Sequence, residues 1–564
     1  MVVGEKAKNS ARNFIENEKP FHLGFLPTEQ SNPLTATLEA DFRRSSRAGV
    51  ETLLKPDRDV AEMAKRVLAG GEFRRLAEAG ERALERGGRL VFSGCGATGR
   101  LAILLESMWR NGCIEAGLPE LADRAASIMT GGDYALVKSV EFFEDFASFG
   151  RRQCRDLGVG AKDCFVAITE GGETSSVLGT LAEAAERGAE CFLLFNNPAG
   201  LLAEKLERSR NAIRDPRVTV LDLFCGPMAL AGSTRMQATT SEMLIAGAAL
   251  EILLCRRSRK TPADFTAGFE AVLDQLTAPE ALAELARYID FEAELYAKGG
   301  GVTYFANDYA LDIFTDTTER SPTFMLPGFI RADDRISPAP WARVADPALS
   351  TPEVWARIFR RAPRCLNWTP DDYRAMGAPE SVCAKPPVIG DEAFYAFPVG
   401  REVLEVPARR SPSFAVGFLA GPEAGNPALK RRIAEAGQRF DGCRLLTIGG
   451  GEGDFMIPCA AEPTPLRLLE HLAVKLALNA ISTGTMVKLG RVSGNWMSFV
   501  ATSNKKLIDR AIRLIAELGR LEYADAAERV FQAMEEVAAL PPDAARPSAV
   551  QVVLADLKRQ PGEK

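Results

Sequence analysis

The sequence R-L-V-F-S-G-C-G-A-T-G-R-L-A-I-L-L-E-S-M-W-R, residues 89–110, contains the patterns of a strand, a glycine-rich turn and a helix in immediate succession. The apolar run Arg89–Ser93 has the length and composition of a buried strand. Gly94–Gly99 supplies the backbone freedom that a tight turn needs, and Arg100–Arg110 continues with helical periodicity. This order predicts a strand whose carboxyl end leads directly into a helix, which is the unit of a parallel α/β sheet.

The same order returns farther along the first half of the chain. A strand is predicted at Cys164–Ile168, a polar turn at Thr169–Thr174 and a helix at Ser175–Arg187. Two more strands are predicted at Cys191–Phe195 and Val218–Phe224. Strands that alternate with helices of this length indicate parallel βαβ units, in which the turns after the strands face a ligand.

A second alternating region follows a helical stretch from Pro262 to Lys298. Its strands are less regular and are predicted at Val302–Ala306, Ser413–Leu419 and Arg444–Ile448. The proline-rich residues 321–345 predict long loops, whereas residues 34–86 and the segment from about Leu466 to the end are helical in pattern. The predicted fold class is therefore α/β, with two doubly wound parallel sheets in tandem and helices at both ends.

Composition excludes several classes of partner. The 564 residues are 46% hydrophobic and 26% charged, with a formal net charge of -6, so the chain as a whole does not attract nucleic acid or an anionic membrane. The 11 cysteines form no C-x-x-C pair, which is typical of free thiols in a reducing compartment rather than of disulfides or a zinc site.

No targeting or membrane-spanning segment is expected either. The residues Met1–Lys19 are charged and lack the apolar stretch of a signal peptide. The longest strongly apolar stretch, Met243–Cys255, is too short to cross a bilayer and is interrupted by Glu251. We therefore expect a cytoplasmic protein.

Two of the turns suit an anion. The turn Gly94–Gly99 places backbone N–H groups and a hydroxyl at the start of a helix, where a phosphate is stabilised, although its glycines would also be needed for the turn alone. The turn Thr169–Thr174 opens a second helix with a hydroxyl at each end. Its alternative role is structural, with the Thr174 side chain capping the helix.

A third element, Ala231–Met236, adds hydroxyls and a guanidinium before a long apolar helix. Arg235 could pair with phosphate or with a neighbouring carboxylate, and a carboxylate is the commoner partner of an arginine. The two histidines, His22 and His471, lack the context of a catalytic triad or a metal site, so we expect both to be structural. The sequence predicts neither a metal nor a cofactor.

Five runs, taken together, resemble the N-acetylmuramic acid 6-phosphate etherase family. They are L-P-T-E-Q-S-N-P-L-T at 26–35, G-C-G-A-T-G-R at 94–100, V-E-F-F-E-D at 140–145, G-S-T-R-M at 232–236 and L-N-A-I-S-T-G-T-M-V-K-L-G-R at 478–491, the last continued by Gly494, Asn495 and Met497. In that family the last two runs lie close together in one chain of a homodimer, whereas here a second α/β unit separates them. This duplicated layout resembles the glucokinase regulatory protein family, and the resemblance covers nearly the full chain.

The resemblance implies two sugar isomerase (SIS) type domains in tandem. The expected organisation is an N-terminal arm and helix at 1–50, a first SIS domain with phosphosugar-binding loops at 51–260, a helical connector at 261–298, a second SIS domain without phosphate loops of its own at 299–465, and a C-terminal helical region at 466–564.

The resemblance also implies a set of substrate contacts. The phosphate-binding positions and the hydroxyl-bearing loop of the family, together with the G-S-T-R-M run, fall on Gly96, Ala97, Thr98, Thr169, Glu170, Gly171, Thr174 and Ser233. Arg491 takes the place of a lysine that reaches the sugar in the regulatory protein. Ala97, Gly171 and Gln237 replace a threonine, a serine and a lysine, so we expect a phosphate pocket with fewer hydroxyls and less positive charge than in either relative.

Two glutamates are implied as the catalytic pair. Glu144 matches a catalytic glutamate of the etherases. Their proton donor belongs to an S-E-C-P-P-T-F motif after the first helix, where this chain has Met108. The run T-E-R-S-P-T-F at 318–324 resembles that motif and puts Glu319 in the place of the acid. One complete site would then be assembled from both halves of the chain.

Three functions follow from the resemblance and remain open at this point. The first is a cofactor-free lyase in which Glu144 removes the proton at carbon 2 and Glu319 assists the departure of D-lactate from carbon 3, which leaves N-acetylglucosamine 6-phosphate. The second is a non-catalytic sensor of a sugar phosphate that acts on a sugar kinase. The third is an SIS-type sugar-phosphate isomerase with Glu144 as its base. The chain would act as a monomeric pseudo-dimer or as a homodimer.

Overall fold

Five α-helices precede the first sheet in the computed structural model, which describes residues 1–406, 409–541 and 547–559. They are α1 (Glu5–Asn17), α2 (Leu38–Arg44), α3 (Ser46–Leu54), α4 (Asp57–Leu68) and α5 (Gly71–Glu85). In α4, Val60, Met63 and Val67 recur at helical spacing and are buried. The helical prediction for residues 34–86 is confirmed.

The first sheet is fully parallel, with strand order β2-β1-β3-β4-β5. Its strands are β1 (Leu90–Gly94), β2 (Ala125–Met129), β3 (Cys164–Ile168), β4 (Glu190–Phe195) and β5 (Val218–Asp222). The helices of this half are α6 (Ala97–Glu115), α7 (Tyr134–Val137), α8 (Ala147–Asp156), α9 (Ser175–Glu186), α10 (Ala199–Lys205), α11 (Glu207–Ile213) and α12 (Gln237–Ser258). Every residue of β1, β2 and β3 is buried, because helices cover both faces of the sheet.

The second sheet follows the connecting helices α13 (Phe265–Leu276) and α14 (Pro279–Ala297) and is also fully parallel. Its strands are β6 (Gly301–Phe305), β7 (Ala342–Ala345), β8 (Ser413–Ala420), β9 (Gly442–Ile448) and β10 (Phe455–Ile457), in the order β10-β9-β8-β6-β7. The helices of this half are α15 (Ala310–Phe324), α16 (Thr351–Phe359), α17 (Pro370–Ala375), α18 (Glu380–Ala384), α19 (Asp391–Tyr395) and α20 (Pro427–Gly437).

The C-terminal helices join the two halves and cover the N-terminal arm. They are α21 (Leu468–Lys488), α22 (Lys505–Gly519), α23 (Tyr523–Ala538) and α24 (Ala549–Arg559). Helix α21 packs against α12 of the first half and α15 of the second, whereas α23 packs against α1. The sequence prediction of a helical end to the chain is confirmed over the described residues.

The two sheets repeat one topology. Read from the opposite edge, the second sheet runs β7-β6-β8-β9-β10, which is the order of the first sheet with β6 in the place of β1. Strand β1 begins at Leu90 and β6 at Gly301, an offset of 211 residues, and each strand leads into a helix that begins within five residues of its end. The predicted fold class, two doubly wound parallel sheets in tandem, is therefore confirmed.

Helix α12 is the one helix in the described ranges that is long and apolar enough to cross a membrane. Its most apolar window is 94% buried inside the protein. Helices α4, α5, α6 and α21 surround it. The apolar stretch Met243–Cys255 is therefore part of the core. None of the 11 cysteines, all of which lie in the described ranges, forms a disulfide.

Candidate active site

A cleft of about 580 Å³ between the two halves contains both glutamates that the sequence singled out. Glu144 comes from the short helical turn between α7 and α8, and Glu319 comes from α15 of the second half. Ser233, from the loop before α12, lines the same cleft, as do Lys506 and Arg510 of α22. The structure therefore brings together groups that are far apart in the sequence.

Glu319 is held in place by an arginine of the first half. The side chain of Glu319 is buried and its Oε1 accepts a hydrogen bond from Arg100 Nη1. Arg100 Nη2 donates to the carbonyl of Ala135 at 2.8 Å and to Ser139 Oγ at 3.1 Å. Because Arg100 lies in the first turn of α6, directly after the glycine-rich turn, this ion pair fixes the second-half glutamate beside the first-half loops.

Glu144 is held by the start of α22. Its Oε1 accepts a hydrogen bond from Asn504 Nδ2 at 2.8 Å, and Asn504 Oδ1 in turn caps α22 by accepting from the Leu507 N–H. Lys506 lies in the same turn and its Nζ is 3.3 Å from Glu173 Oε1. Burial alone would lower the pKa of Lys506, but the carboxylates of Glu173, Glu144 and Glu29 raise it. The cleft therefore contains a charged ammonium group next to Glu144.

The glycine-rich turn opens α6 without a side-chain cap. The N-cap residue Gly96 has φ +57°, a conformation that favours glycine, and no side chain accepts from the first N–H groups of the helix. Thr98 Oγ1 bonds within its own turn, since it donates to the Cys95 carbonyl at 2.9 Å and accepts from the Cys95 N–H at 3.0 Å. Ala97 lines an adjoining cavity that shares Arg235 and Glu319 with the cleft.

In the second loop, residues 169–174, the two threonine hydroxyls form a hydrogen bond with each other. Thr169 Oγ1 donates to Thr174 Oγ1 at 3.0 Å, and the Thr174 side chain does not cap α9, so the capping role considered for it is not observed. The carbonyl of Gly171 accepts from Asn197 Nδ2 at 3.1 Å. Asn197 also donates to Thr28 of the N-terminal arm, which therefore packs directly on this loop.

Glu170 of the same loop is buried, and burial raises its pKa to about 7. The carboxylates of Glu319 and Glu173 act in the same direction. A carboxyl group that titrates near neutral pH can hold or release a proton under physiological conditions.

Ser233 and Arg235 have different roles, although they are two residues apart. Ser233 Oγ is buried in the cleft and has no hydrogen-bond partner, which is unusual for a buried hydroxyl and suits a ligand contact. Arg235 Nη1 pairs with Asp316 Oδ1 at 2.9 Å, and Nη2 donates to Thr483 Oγ1 at 2.7 Å. Of the two partners considered for Arg235, the structure shows the carboxylate, and this arginine ties α15 and α21 to the first half.

The structure does not bring Arg491 into the cleft. Its guanidinium lies 4.9 Å from the ring centre of Trp341 and 4.6 Å from that of Phe499, and Nη1 donates to the Phe324 carbonyl at 2.7 Å. These contacts commit the charge of Arg491 to two aromatic faces. We therefore correct its placement: Arg491 supports the chain just after Glu319 and does not line the site.

Sequence reasoning missed the cationic wall of the cleft. The expectation of low positive charge rested on Gln237, which instead bonds to Asp57 Oδ1 at 2.9 Å and to the Ala229 N–H at 2.8 Å. The charge comes from Lys506 and Arg510, four residues apart on one face of α22. The available signal was the capping asparagine in S-N-K-K-L-I-D-R, residues 503–510.

The N-terminal arm forms the outer wall behind these cations. Arg510 donates to both carboxylate oxygens of Glu29, at 2.9 and 2.6 Å, and Arg513 Nη2 is 2.9 Å from Glu29 Oε2. Burial would raise the pKa of Glu29, but the two guanidinium groups lower it to about 2. Among the described residues, no group of three or more His, Cys, Asp and Glu side chains is arranged to hold a metal ion. The chemistry available in the cleft is proton transfer by carboxyl groups beside cations and helix N-termini.

Parts of this chain are similar in sequence to proteins of known families. Residues 74–185 match the family model of the glucokinase regulatory protein N-terminal SIS domain. Over 224 residues, 40% of this chain, the sequence is 32% identical to the N-acetylmuramic acid 6-phosphate etherases of Yersinia pestis (strain Pestoides F) and Yersinia pseudotuberculosis serotype I (strain IP32953), and the match covers 68% of each. The C-terminal domain of glucosamine-fructose-6-phosphate aminotransferase from Francisella tularensis is similar in structure, with 12% identity, 79% of this chain and 97% of that chain covered, and a TM-score of 0.44.

Proposed function

Because the chain belongs to the family of SIS proteins that includes the N-acetylmuramic acid 6-phosphate etherases and the glucokinase regulatory protein, we propose that this sugar-phosphate protein is a cofactor-independent lyase. Its substrate would be N-acetylmuramic acid 6-phosphate. The reaction consumes one water molecule and gives N-acetylglucosamine 6-phosphate and D-lactate. The observation that carries the proposal is the meeting of Glu144 and Glu319 in one cleft although they come from different halves of the chain.

The two carboxyl groups have separate tasks in this mechanism. Glu144, as a carboxylate, removes the proton at carbon 2 of the open-chain sugar, and the electron pair forms the carbon 2–carbon 3 double bond as the carbon 3–oxygen bond breaks. Glu319 gives a proton to the departing lactate oxygen. Water then adds to the alkene, with the hydroxyl at carbon 3 and a proton returned to carbon 2. Each positioned proton transfer contributes typically about 10²–10⁴-fold to the rate.

Glu170 is the group that we propose as the source of the proton for Glu319. Glu170, whose pKa burial raises to about 7, interacts electrostatically with Glu319 and can hold a proton at neutral pH. Arg100 holds the Glu319 carboxylate at one position once its proton has passed to the lactate oxygen. We assign Arg100 a positioning role for this reason.

The phosphate would be bound by groups that line the cleft together with the two loops that follow β1 and β3. The helix start at Gly96–Thr98 offers backbone N–H groups, and Lys506 and Arg510 supply positive charge. Ser233 offers a hydroxyl without a partner. The loop residues Thr169, Glu170, Gly171 and Thr174 complete the proposed substrate-binding set.

The experiment that tests the proposal is incubation of the purified chain with N-acetylmuramic acid 6-phosphate, followed by enzymatic measurement of D-lactate. We expect D-lactate and N-acetylglucosamine 6-phosphate in equal amounts. If no D-lactate is released from N-acetylmuramic acid 6-phosphate but fructose 6-phosphate is converted into an aldose phosphate, the isomerase is supported instead.

The second candidate function is a non-catalytic sensor whose ligand changes a surface for a sugar kinase. The family match at residues 74–185 and the tandem arrangement of the two halves favour it. A sensor would release no D-lactate, yet fructose 6-phosphate or glucosamine 6-phosphate would raise its melting temperature.

Replacing Ser233 by alanine should weaken substrate binding without reducing stability. A hydrogen bond to a charged group is worth about 1.5–3 kcal/mol, so we expect KM to rise at least roughly tenfold with little change in kcat. The melting temperature should not fall, because the hydroxyl has no partner within the protein to leave unpaired. Steady-state kinetics and a thermal melt check both parts, and an unchanged KM would remove Ser233 from the site.

A further inference from the structure

A second cavity, of about 670 Å³, lies at the carboxyl edge of the second sheet, between α6 and α15. Its walls combine apolar side chains, among them Met108 and Leu311, with the guanidinium groups of Arg357, Arg360 and Arg467. None of the functions considered above uses it.

The internal duplication makes this cavity the counterpart of the cleft. With the 211-residue offset between β1 and β6, Met108 corresponds to Glu319 and Leu311 corresponds to Arg100. Arg100 and Glu319 form the ion pair beside the cleft, whereas Leu311 and Met108 both line the second cavity. The second cavity therefore keeps the position of the first but lacks its acid–base group.

In the second half, a carboxylate of the protein lies at the position that corresponds to the proposed phosphate site of the first half. Glu423 follows β8, which takes the place of β3, and is buried at the start of α15. Its Oε1 accepts from the Asp308 N–H at 3.0 Å and from Asn307 Nδ2 at 2.5 Å. A carboxylate of the protein thus occupies the helix start where the first half would receive a phosphate. An anionic ligand of this cavity has to bind elsewhere in it.

The arginines provide that other position. Arg357 Nη2 is buried and has no hydrogen-bond partner, although Nη1 of the same group bonds to Asn307 and Asp346. Arg467 already pairs with Glu115 and Asp308, and Arg357 Nη1 pairs with Asp346. Arg360 is therefore the lining arginine to which the described residues offer no carboxylate partner. Arg360 and Arg467 also adopt left-handed backbone conformations, with φ of 52° and 56°, which non-glycine residues rarely do.

We propose that this cavity is a second, non-catalytic binding site for a small polyol that bears one oxyanion group, a carboxylate or a phosphate. The oxyanion pairs with Arg360 and with Arg357 Nη2, and the carbon chain packs on Met108 and Leu311. This proposal does not depend on the lyase activity, because it uses none of the groups in the cleft.

Calorimetric titration of the full chain with gluconate and with glucose 6-phosphate tests the proposal. These probes share a six-carbon polyol and differ in the oxyanion, and uncharged glucose should not bind. We expect at least one of them to bind the wild-type chain and to lose at least roughly tenfold in affinity in the R360N variant, in which asparagine tolerates the left-handed backbone. The variant M108F, which puts a larger side chain into the cavity, should lose binding as well.

The matched control is R520N. Arg520 is exposed, has φ of 52° like Arg360, ends α22 as Arg360 ends α16, and lies outside the cavity, so the same charge is removed in the same backbone conformation. Its affinity should equal that of the wild-type chain. The proposal is overturned if neither probe binds below about 10 mM, if R360N binds like the wild-type chain, or if the control loses as much affinity. Binding that S233A removes and R360N retains would belong to the cleft and would also overturn it.

Discussion

Replacing Glu144 by glutamine should lower the rate of D-lactate release by about 10²–10⁴-fold, and so should replacing Glu319 by glutamine. Each change removes one of the two proton transfers and leaves the side chain nearly the same size. Coupled measurement of D-lactate under substrate saturation gives kcat for both variants. A variant that retains more than about a tenth of the wild-type kcat would not have lost a proton-transfer group.

The two variants can also be told apart by hydrogen exchange. With N-acetylglucosamine 6-phosphate in D₂O, loss of the carbon 2 proton from the NMR spectrum reports the base alone. We expect exchange to persist in Glu319→Gln and to stop in Glu144→Gln, and the reverse pattern would exchange the two roles. Because Glu319→Gln also leaves Arg100 without its carboxylate, Glu319→Asp serves as a control that keeps the charge and the fold but moves the carboxyl away from the substrate.

Replacing Glu106 by glutamine should cause the largest loss of stability of any single change considered. Glu106 lies in α6 of the first half and accepts from Arg361 Nε at 2.9 Å and Arg364 Nη1 at 2.8 Å, both from the second half. It is 1% exposed, so the variant would leave buried guanidinium groups partly unpaired. Breaking a buried ion pair in this way costs about 3–5 kcal/mol. Thermal or urea unfolding measures the loss.

The matched control is Glu72→Gln, which breaks an exposed pair with Arg75 and should leave the unfolding midpoint nearly unchanged. The acid dependence supplies a further check. Burial would raise the pKa of Glu106, but the arginines lower it to about 2, so its contribution is present above about pH 4.5 and is lost as the pH falls toward 2. The stability difference between the wild-type chain and Glu106→Gln should therefore shrink over that interval, and a constant difference would contradict the pairing.

The fold was predictable wherever burial leaves a continuous apolar run. The strand at Cys164–Ile168 is observed with its predicted bounds, and β1 differs from its prediction by one residue at each end. The strands β2, β7 and β10 were missed. Strand β2 begins A-A-S, which lacks β-branched and aromatic residues, and the other two have only four and three residues. Short strands of this kind form because their neighbours in the sheet are already in place.

The site was predictable only through motifs. No periodicity connects Glu144 with Glu319, and their meeting depends on the packing of α15 against α6. Lys506 was missed because a lysine at a helix start usually faces solvent, whereas here α22 directs it between Glu173 and Glu144. Arg491 was misplaced because sequence position does not reveal the aromatic rings on either side of its guanidinium.

The most direct test of a composite site is a crystal structure of the Glu144→Gln variant soaked with N-acetylmuramic acid 6-phosphate. We predict that the sugar lies in the cleft between the halves, with carbon 2 facing residue 144, the lactyl ether oxygen within hydrogen-bond distance of Glu319, and Ser233 and Lys506 close to the ligand. A ligand bound to residues of one half alone, or one that leaves Glu319 out of reach of the ether oxygen, would contradict a composite site.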